Sequence, residues 1–140
     1  MRDTHTDSDI RELLSSAKTI AIVGASPKPE RPVYGVMAYL LRAGYRCIPV
    51  NPGQAGKEIL GQTVVARLAD IAEPIDIVDI FRERFALAGV VDEALALPVK
   101  PKAVWMQLDL WDEAAAAKAE AAGVMAIMDR CTKIEHAGLL

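Results

Sequence analysis

Cysteine and histidine are scarce in this 140-residue sequence, which contains two of each. Two cysteines, Cys47 and Cys131, are too few for a disulfide framework, so we expect free thiols in a reducing compartment. A single disulfide bridge between them is the alternative. The two histidines, His5 and His136, have no further ligand at the spacing of a metal site. The sequence therefore predicts no metal site and a cytoplasmic location.

Long apolar runs and an excess of basic charge are also missing. No segment reaches the roughly 18 consecutive apolar residues that a membrane-spanning helix needs. The polar, partly acidic start MRDTHTDSDI is unlike a signal peptide. The formal net charge of −3 disfavours nucleic-acid and anionic-membrane partners. With 52% hydrophobic residues, we expect a single domain over residues 1–140, in which residues 1–8 are a flexible lead.

What the sequence does contain is an alternation of apolar strands and amphipathic helices. Apolar runs such as IAIV and AVWM are typical of parallel strands that are buried on both faces. The fold class is therefore α/β, a Rossmann-like doubly wound five-stranded parallel sheet with helices on both faces. We expect the strand order 3-2-1-4-5, with a ligand beyond the strand ends between the first and fourth strands. The predicted strands are residues 19–25, 46–51, 75–81, 103–108 and 125–130, and the predicted helices are residues 10–17, 33–40, 64–71, 85–97 and 112–122.

The segment TIAIVGASPKPERPVYG joins the first strand to the next helix through a turn of small residues. A helix amino terminus at such a turn favours phosphate. Of the dinucleotide fingerprint G-x-G-x-x-G only Gly24 is present, since Ser26 and Pro29 occupy the other glycine positions. Lys28 and Arg31 add two cations. The segment predicts a phosphate-binding loop, with an ordinary tight turn as the alternative.

The second predicted strand ends at Asn51 and Pro52, where NAD-dependent enzymes carry an acidic residue for the ribose. Asparagine beside basic residues is better suited to a phosphorylated ribose, as in NADP or coenzyme A. A plain turn is also compatible with this pair. Phe81 and Arg82 end the third strand, where an adenine could stack on either side chain, with a core role for Phe81 as the alternative.

The fourth predicted strand contains Trp105 and Gln107 on one face, and a core role for Trp105 is the simpler interpretation. Asp76 and Asp79 lie within the apolar third strand and are expected to be hydrogen-bonded structural carboxylates.

Catalytic motifs are absent from the sequence. It contains neither a G-x-S-x-G elbow nor a Walker loop. In MDRCTKIEH, Cys131, Glu135 and His136 could form a thiol–imidazole pair, but nothing in the sequence brings them together. We therefore predict no catalytic residue and expect Cys131 to be no nucleophile.

Several blocks in order, from residue 10 to residue 136, resemble the small bacterial and archaeal CoA-binding proteins: KTIAIVGASPKPERPVYGVMAYLL, YRCIPVNPG, EILGQ, IDIVDIFR, AVWMQL and MDRCTKIEH. These proteins are single-domain relatives of the CoA-binding domain in the succinyl-CoA synthetase α subunit and in ADP-forming acyl-CoA synthetases. The resemblance implies a pyrophosphate site at Gly24, Ala25, Ser26 and Pro27, a phosphate-side lining at Arg31, Pro32, Val33, Tyr34 and Gly35, an adenosine border at Asn51, Pro52, Phe81 and Arg82, and a pantetheine arm near Trp105 and Gln107.

In those synthetases catalysis depends on modules outside the CoA-binding domain. The resemblance therefore implies a protein that binds CoA or acyl-CoA as a carrier, sensor or regulatory module, with a second copy or an acyl-CoA enzyme as a possible partner. The alternative is an NADP-dependent oxidoreductase or another nucleotide-binding enzyme.

Overall fold

A parallel five-stranded sheet forms the centre of the protein, described here by a computed structural model for residues 3–140. The sheet has the order β2-β1-β5-β6-β7, and a two-stranded hairpin of β3 and β4 stands beside it. The strands are β1 (Thr19–Val23), β2 (Arg46–Val50), β3 (Glu58–Ile59), β4 (Gln62–Thr63), β5 (Ile77–Ile80), β6 (Ala103–Met106) and β7 (Met125–Ile127).

Five helices cover the two faces of the sheet. They are α1 (Asp7–Ser16), α2 (Pro32–Arg42), α3 (Leu87–Leu95), α4 (Glu113–Ala121) and α5 (Thr132–Leu139). Buried residues of α1 and α2, such as Ile10 and Leu40, form one core with Trp105. Residues of α3 and α4 form the other core, around Val91 and Met106. Because alternate side chains of a strand point to opposite faces, a continuous apolar strand supplies both cores. The predicted doubly wound α/β class is confirmed.

The strand order differs from the predicted 3-2-1-4-5. The third sheet strand, β5, pairs with β1 over Ile20↔Ile77 to Val23↔Ile80, so the order of the five predicted strands is 2-1-3-4-5. The outer edge of β2 is not open to β5, because Val65 N–H donates to Pro49 O and Asn51 N–H donates to Val65 O. The point where the strand order reverses therefore lies between β1 and β5, and not between the first and fourth strands.

Two predicted segments have different structures. Residues 64–71 are not a helix, since Val65 bridges to Val50 and only Leu68–Asp70 forms a short 3-10 turn. The chain after β7, for which the sequence predicts no helix, forms α5. Only Thr132 of α5 is fully buried, so this helix lacks the apolar stripe by which the sequence would reveal it.

Residues 3–8 are not the predicted flexible lead. Asp3 is 2% exposed, and its carboxylate accepts from Arg130 Nε at 2.8 Å. Thr6 then caps α1 through a reciprocal pair of hydrogen bonds with Asp9. Residues 1 and 2 of the predicted lead lie outside the described residues. Within residues 3–140, no helix is long and apolar enough to cross a membrane.

Candidate functional site

Two cavities lie beyond the carboxyl ends of the strands, one on each side of the β1–β5 junction. The first cavity has a volume of about 430 Å³ and borders α3, and the second has a volume of about 450 Å³ and borders α2. Both are lined by Gly24 and Arg82. Clefts at the reversal point of a doubly wound sheet are where such folds bind ligands. We refer to them as the first and second cavity.

Gly24 is held against β5 by its backbone geometry. Its φ is +88°, and a Cβ at this position would lie 2.1 Å from Phe81 O. The N–H groups of Gly24 and Ala25 donate to Val50 O at 3.0 and 3.4 Å. The glycine is therefore required by the close packing of β1 and β5. These two amides are committed to β2, which corrects the prediction that they face a phosphate.

The amides left over at this turn lie closer to α2. Ser26 N–H and Val33 N–H have no acceptor within residues 3–140. Arg31 occupies the N-cap position of α2 without a side-chain cap, and Pro32 follows at the first helical position. The first turn of α2 carries no acidic residue. This end of α2 therefore presents partial positive charge together with the exposed guanidinium of Arg31.

Asn51 links two loops at the edge of the first cavity. Its Nδ2 donates to Ala25 O at 2.7 Å, and its Oδ1 accepts from Gly53 N at 2.8 Å. Both ends of the amide are thus used within the protein. Asn51 and Pro52, which the resemblance assigns to an adenosine border, line the first cavity, and Asn51 fixes the loops there.

Phe81 and Arg82, predicted together at the adenosine border, face different cavities. Phe81 lines only the second cavity, whereas Arg82 lines both. The Arg82 side chain is 39% exposed, and its Nε lies 3.8 Å from a carboxylate oxygen of Glu83. Such a distant, partly solvated ion pair contributes little to stability, so the guanidinium remains accessible to a ligand.

Trp105 does not reach either cavity. Its ring is fully buried in the core, and Nε1 donates to Arg130 O at 2.9 Å. The placement of Trp105 beside a ligand is therefore wrong, and its core alternative holds. Gln107, two residues further on, lines the second cavity.

The predicted site residues divide into two sets. Those that line neither cavity are Ala25, Pro27, Tyr34, Gly35 and Trp105. Those that line one or both are Gly24, Ser26, Arg31, Pro32, Val33, Asn51, Pro52, Phe81, Arg82 and Gln107.

Sequence reasoning missed part of the lining of each cavity. The missed residues include Arg67, Glu83 and Glu93 in the first cavity and Leu108, Asp109, Leu110 and Cys131 in the second. Arg67 was hidden by the mistaken helix over residues 64–71. Leu108 ends the predicted fourth strand and Cys131 follows the predicted fifth strand, so both lie at strand ends, although neither side chain by itself indicates a nucleotide site.

The two aspartates of the third predicted strand have different environments. Asp76 accepts from the N–H groups of Lys18 and Thr19 at 2.8 and 3.0 Å, as expected of a structural carboxylate. Asp79 is fully buried, and only its Oδ2 has a partner, the hydroxyl of Thr132 at 2.9 Å. Burial raises the pKa of Asp79 well above its ordinary value.

Within residues 3–140, the hydrogen bonds of Cys131, Glu135 and His136 do not connect their side chains into a thiol–imidazole pair. His136 Nδ1 lies 2.8 Å from the hydroxyl of Tyr39, and Glu135 pairs with Arg130 at 2.7 Å. Cys131 lines the second cavity as the N-cap residue of α5. Each of the three residues thus has a separate environment.

The parallel sheet, the crossover helices and the cavities at the reversal point define an α/β domain of the doubly wound class. Residues 18–137 match the family described as the CoA binding domain, and the chain belongs to this family.

The chain is also similar to other known proteins in sequence or in fold. The chain is 39% identical over 130 residues to the uncharacterized protein YneT of Bacillus subtilis, covering 93% of each chain. A Thermus thermophilus structure is 41% identical with a TM-score of 0.91, over 97% of this chain and all of that one. An acetyl-coenzyme A synthetase of Ca. Korarchaeum cryptofilum shares the fold at a TM-score of 0.68 and 22% identity, over 78% of this chain and 25% of that one.

Proposed function

We propose that this protein binds coenzyme A or acyl-CoA across the carboxyl ends of β1 and β5. The observation that carries the proposal is the pair of cavities that share Gly24 and Arg82 in their lining, in a chain that belongs to the CoA binding domain family. One elongated ligand that crosses this junction would occupy both cavities. We assign the adenosine half to the first cavity and direct the pantetheine arm toward the second.

The pyrophosphate would lie at the amino end of α2. Ser26 N–H and Val33 N–H supply uncommitted donors, and Arg31 supplies a charge. Arg82 stands at the border of the cavities, where the ligand passes from one to the other. Backbone donors, a helix dipole and guanidinium groups together are a known means of holding phosphate.

The first cavity has side chains suited to a phosphorylated adenosine. The Arg82 guanidinium offers a flat cationic surface on which an adenine can stack. Arg67 offers a second cation. Its side chain is about two-thirds exposed, and its Nη2 lies 3.4 Å from Oδ1 of Asp70. No acidic side chain stands at Asn51, where an NAD-binding protein would place one. These features support CoA, which carries a 3′-phosphate, over NAD.

We further propose a carrier, sensor or regulatory role without catalysis by this chain. His136 and Glu135 are engaged with Tyr39 and Arg130, which supports a structural role for the DRCTKIEH segment. Both cysteines are free thiols, which supports a reducing location such as the cytoplasm. A second copy or an acyl-CoA enzyme as partner stays a prediction.

Native mass spectrometry tests the proposal directly. The purified protein, incubated with excess CoA and exchanged into volatile buffer, should show an added mass of one CoA per chain. The adduct should be much weaker for a variant with Arg31→Ala and unchanged for a variant with Arg42→Ala, at the other end of the same helix. Absence of any adduct with the unaltered protein would contradict the proposal.

A further inference from the structure

Three buried polar side chains form a hydrogen-bonded chain behind the second cavity. Asp79 belongs to β5, Gln107 follows β6, and Thr132 begins α5. Asp79 and Thr132 are fully buried, and Gln107 is 6% exposed. Buried polar groups are costly unless they are paired, so the donors and acceptors of these three side chains are expected to match one another.

Thr132 fixes which end of the Gln107 amide faces the interior. Thr132 N–H donates to Gln107 Oε1 at 3.2 Å, and the Thr132 hydroxyl lies 3.1 Å from the same oxygen. A backbone N–H can only donate, so the atom it meets is an acceptor, which identifies that end of the amide as the carbonyl oxygen. The amide nitrogen Nε2 is therefore at the opposite end, and it has no acceptor within residues 3–140, while the residue lines the second cavity.

The hydroxyl of Thr132 has a single proton and two neighbours that could accept it, Gln107 Oε1 and Asp79 Oδ2 at 2.9 Å. Burial also raises the pKa of the Asp79 carboxyl. Whichever of the two oxygens accepts the hydroxyl proton, Thr132 N–H still donates to Gln107 Oε1, so Nε2 is the end of the amide that is left for the cavity.

We propose that Gln107 Nε2 donates a hydrogen bond to a carbonyl oxygen of the ligand's arm, an amide or a thioester, and that Thr132 is the positioning residue for this donor. The inference rests on the proposed function and deepens it. The surrounding wall is largely apolar, with Val33, Val36 and Phe81. In such surroundings one fixed donor distinguishes an arm that carries a carbonyl from a plain hydrocarbon chain.

The test compares a ligand that has the arm with one that lacks it. CoA carries the pantetheine arm with two amide carbonyls, and adenosine 3′,5′-bisphosphate lacks the arm together with one phosphate, a difference that enters the affinity ratio equally for every variant. The substitution Gln107→Met should lower the ratio of CoA affinity to bisphosphate affinity by about three- to tenfold, because one neutral hydrogen bond is lost. Calorimetric titration measures both affinities. Gln62→Met, on β4 and outside both cavities, is the matched control and should leave the ratio unchanged.

Thr132 is tested by the same ratio. Thr132→Val should lower it, Thr132→Ser should restore it, and Thr132→Val should have no further effect once Gln107→Met is present. A general loss of folding would weaken both ligands together and leave the ratio intact. A ratio unchanged by Gln107→Met would overturn the inference while leaving CoA binding itself in place.

A second readout is spectroscopic. The side-chain amide signal that Gln107→Met removes from a nitrogen–proton correlation spectrum should shift when CoA is added and stay in place when the bisphosphate is added. A side-chain amide signal that does not shift when CoA is added would overturn the inference. Failure of the unaltered protein to bind CoA at all would overturn the proposed function and this inference together.

Discussion

The two cavities differ in chemistry although they meet at the same two residues. Charged side chains of Arg67, Glu83 and Glu93 border the first cavity beside α3. The second cavity has Phe81 and Leu108 in its wall, and its polar lining includes the nearly buried Gln107. A cavity lined by polar and apolar groups in similar measure, next to a more apolar one, fits a ligand whose two halves have different chemistry. The comparison therefore makes separate predictions for the junction and for each side.

The largest effect is expected at the junction, because Gly24 serves both cavities. In a variant with Gly24→Ala, the new Cβ would meet Phe81 O at 2.1 Å, and the positive φ would be strained. We expect a loss of about 2–4 kcal/mol in the free energy of unfolding, together with loss of CoA binding. Chemical denaturation and calorimetry measure the two quantities.

The matched control for Gly24 is Gly89→Ala in α3. An added Cβ there has nothing within 4 Å, and the site lies within a helix. The free energy of unfolding of this variant should rise by about 0.5–1 kcal/mol. Equal stability of the two variants would show that the junction is not as tight as described.

The next largest effect is expected at the amino end of α2, where we propose that phosphate binds. Arg31→Ala should weaken CoA binding by about 10- to 150-fold at low salt, the equivalent of one hydrogen bond to a charged group. Binding of pantetheine, which has no phosphate, should be nearly unaffected. Arg31→Lys should recover part of the loss, since an ammonium group cannot form the two-pronged contact. An unchanged CoA affinity would reduce Arg31 to a solvated loop charge.

Asp79, behind the second cavity, should impose a pH dependence on stability. Because its folded-state pKa is raised, the folded protein keeps a proton that the unfolded chain releases above about pH 4. The contribution of Asp79 to stability is therefore complete below that pH and is lost as the pH rises toward the folded-state pKa. Asp79→Asn should remove this loss and raise the free energy of unfolding by about 1–3 kcal/mol near pH 7, with no increase below about pH 4. Chemical denaturation at a series of pH values measures both.

Asp76 provides the opposite case for the same denaturation series. Burial tends to raise its pKa, but hydrogen bonds from the amides of Thr19 and Lys18 and the charge of Lys102 outweigh this and lower the pKa. Asp76→Asn should therefore cost stability at neutral pH, and its deficit should fade as the pH falls through the lowered pKa. The same pH trend for both variants would contradict the contrast between the two carboxyls.

The smallest effect is expected from Cys131→Ser. The thiol lies in the wall of the second cavity, at the N-cap of α5, and serine is nearly isosteric and a good capping residue. CoA affinity should stay within a few-fold of the original, and an acyl-CoA should leave no acyl group on the protein by mass spectrometry. Stoichiometric acylation of Cys131 would contradict the prediction of a non-catalytic thiol.

The strands and most helices could be predicted from the sequence because their apolar periodicity is strong. The strand order could not, because it depends on Val65, whose backbone bonds close the outer edge of β2. Helix α5 escaped prediction because Ile134 is 56% exposed and the helix is held largely by polar contacts.

The rule that ligands bind at strand ends located the candidate site, but not the role of each residue. The rule placed Gly24, Arg82 and Gln107 at the cavities. It could not show that the amide of Asn51 is occupied by Ala25 O and Gly53 N, or that Trp105 is enclosed by the core. Such roles depend on hydrogen bonds between residues far apart in the chain.

The central claim is that the two neighbouring cavities hold CoA and that the first cavity, with Asn51 in place of an acidic residue, disfavours NAD. Isothermal titration of the unaltered protein with CoA, NADP and NAD in one buffer tests it most directly. The account predicts saturable binding of one CoA per chain, with NAD at least tenfold weaker. Binding of NAD as tight as that of CoA would contradict the account, and tighter binding of NADP would favour the oxidoreductase alternative.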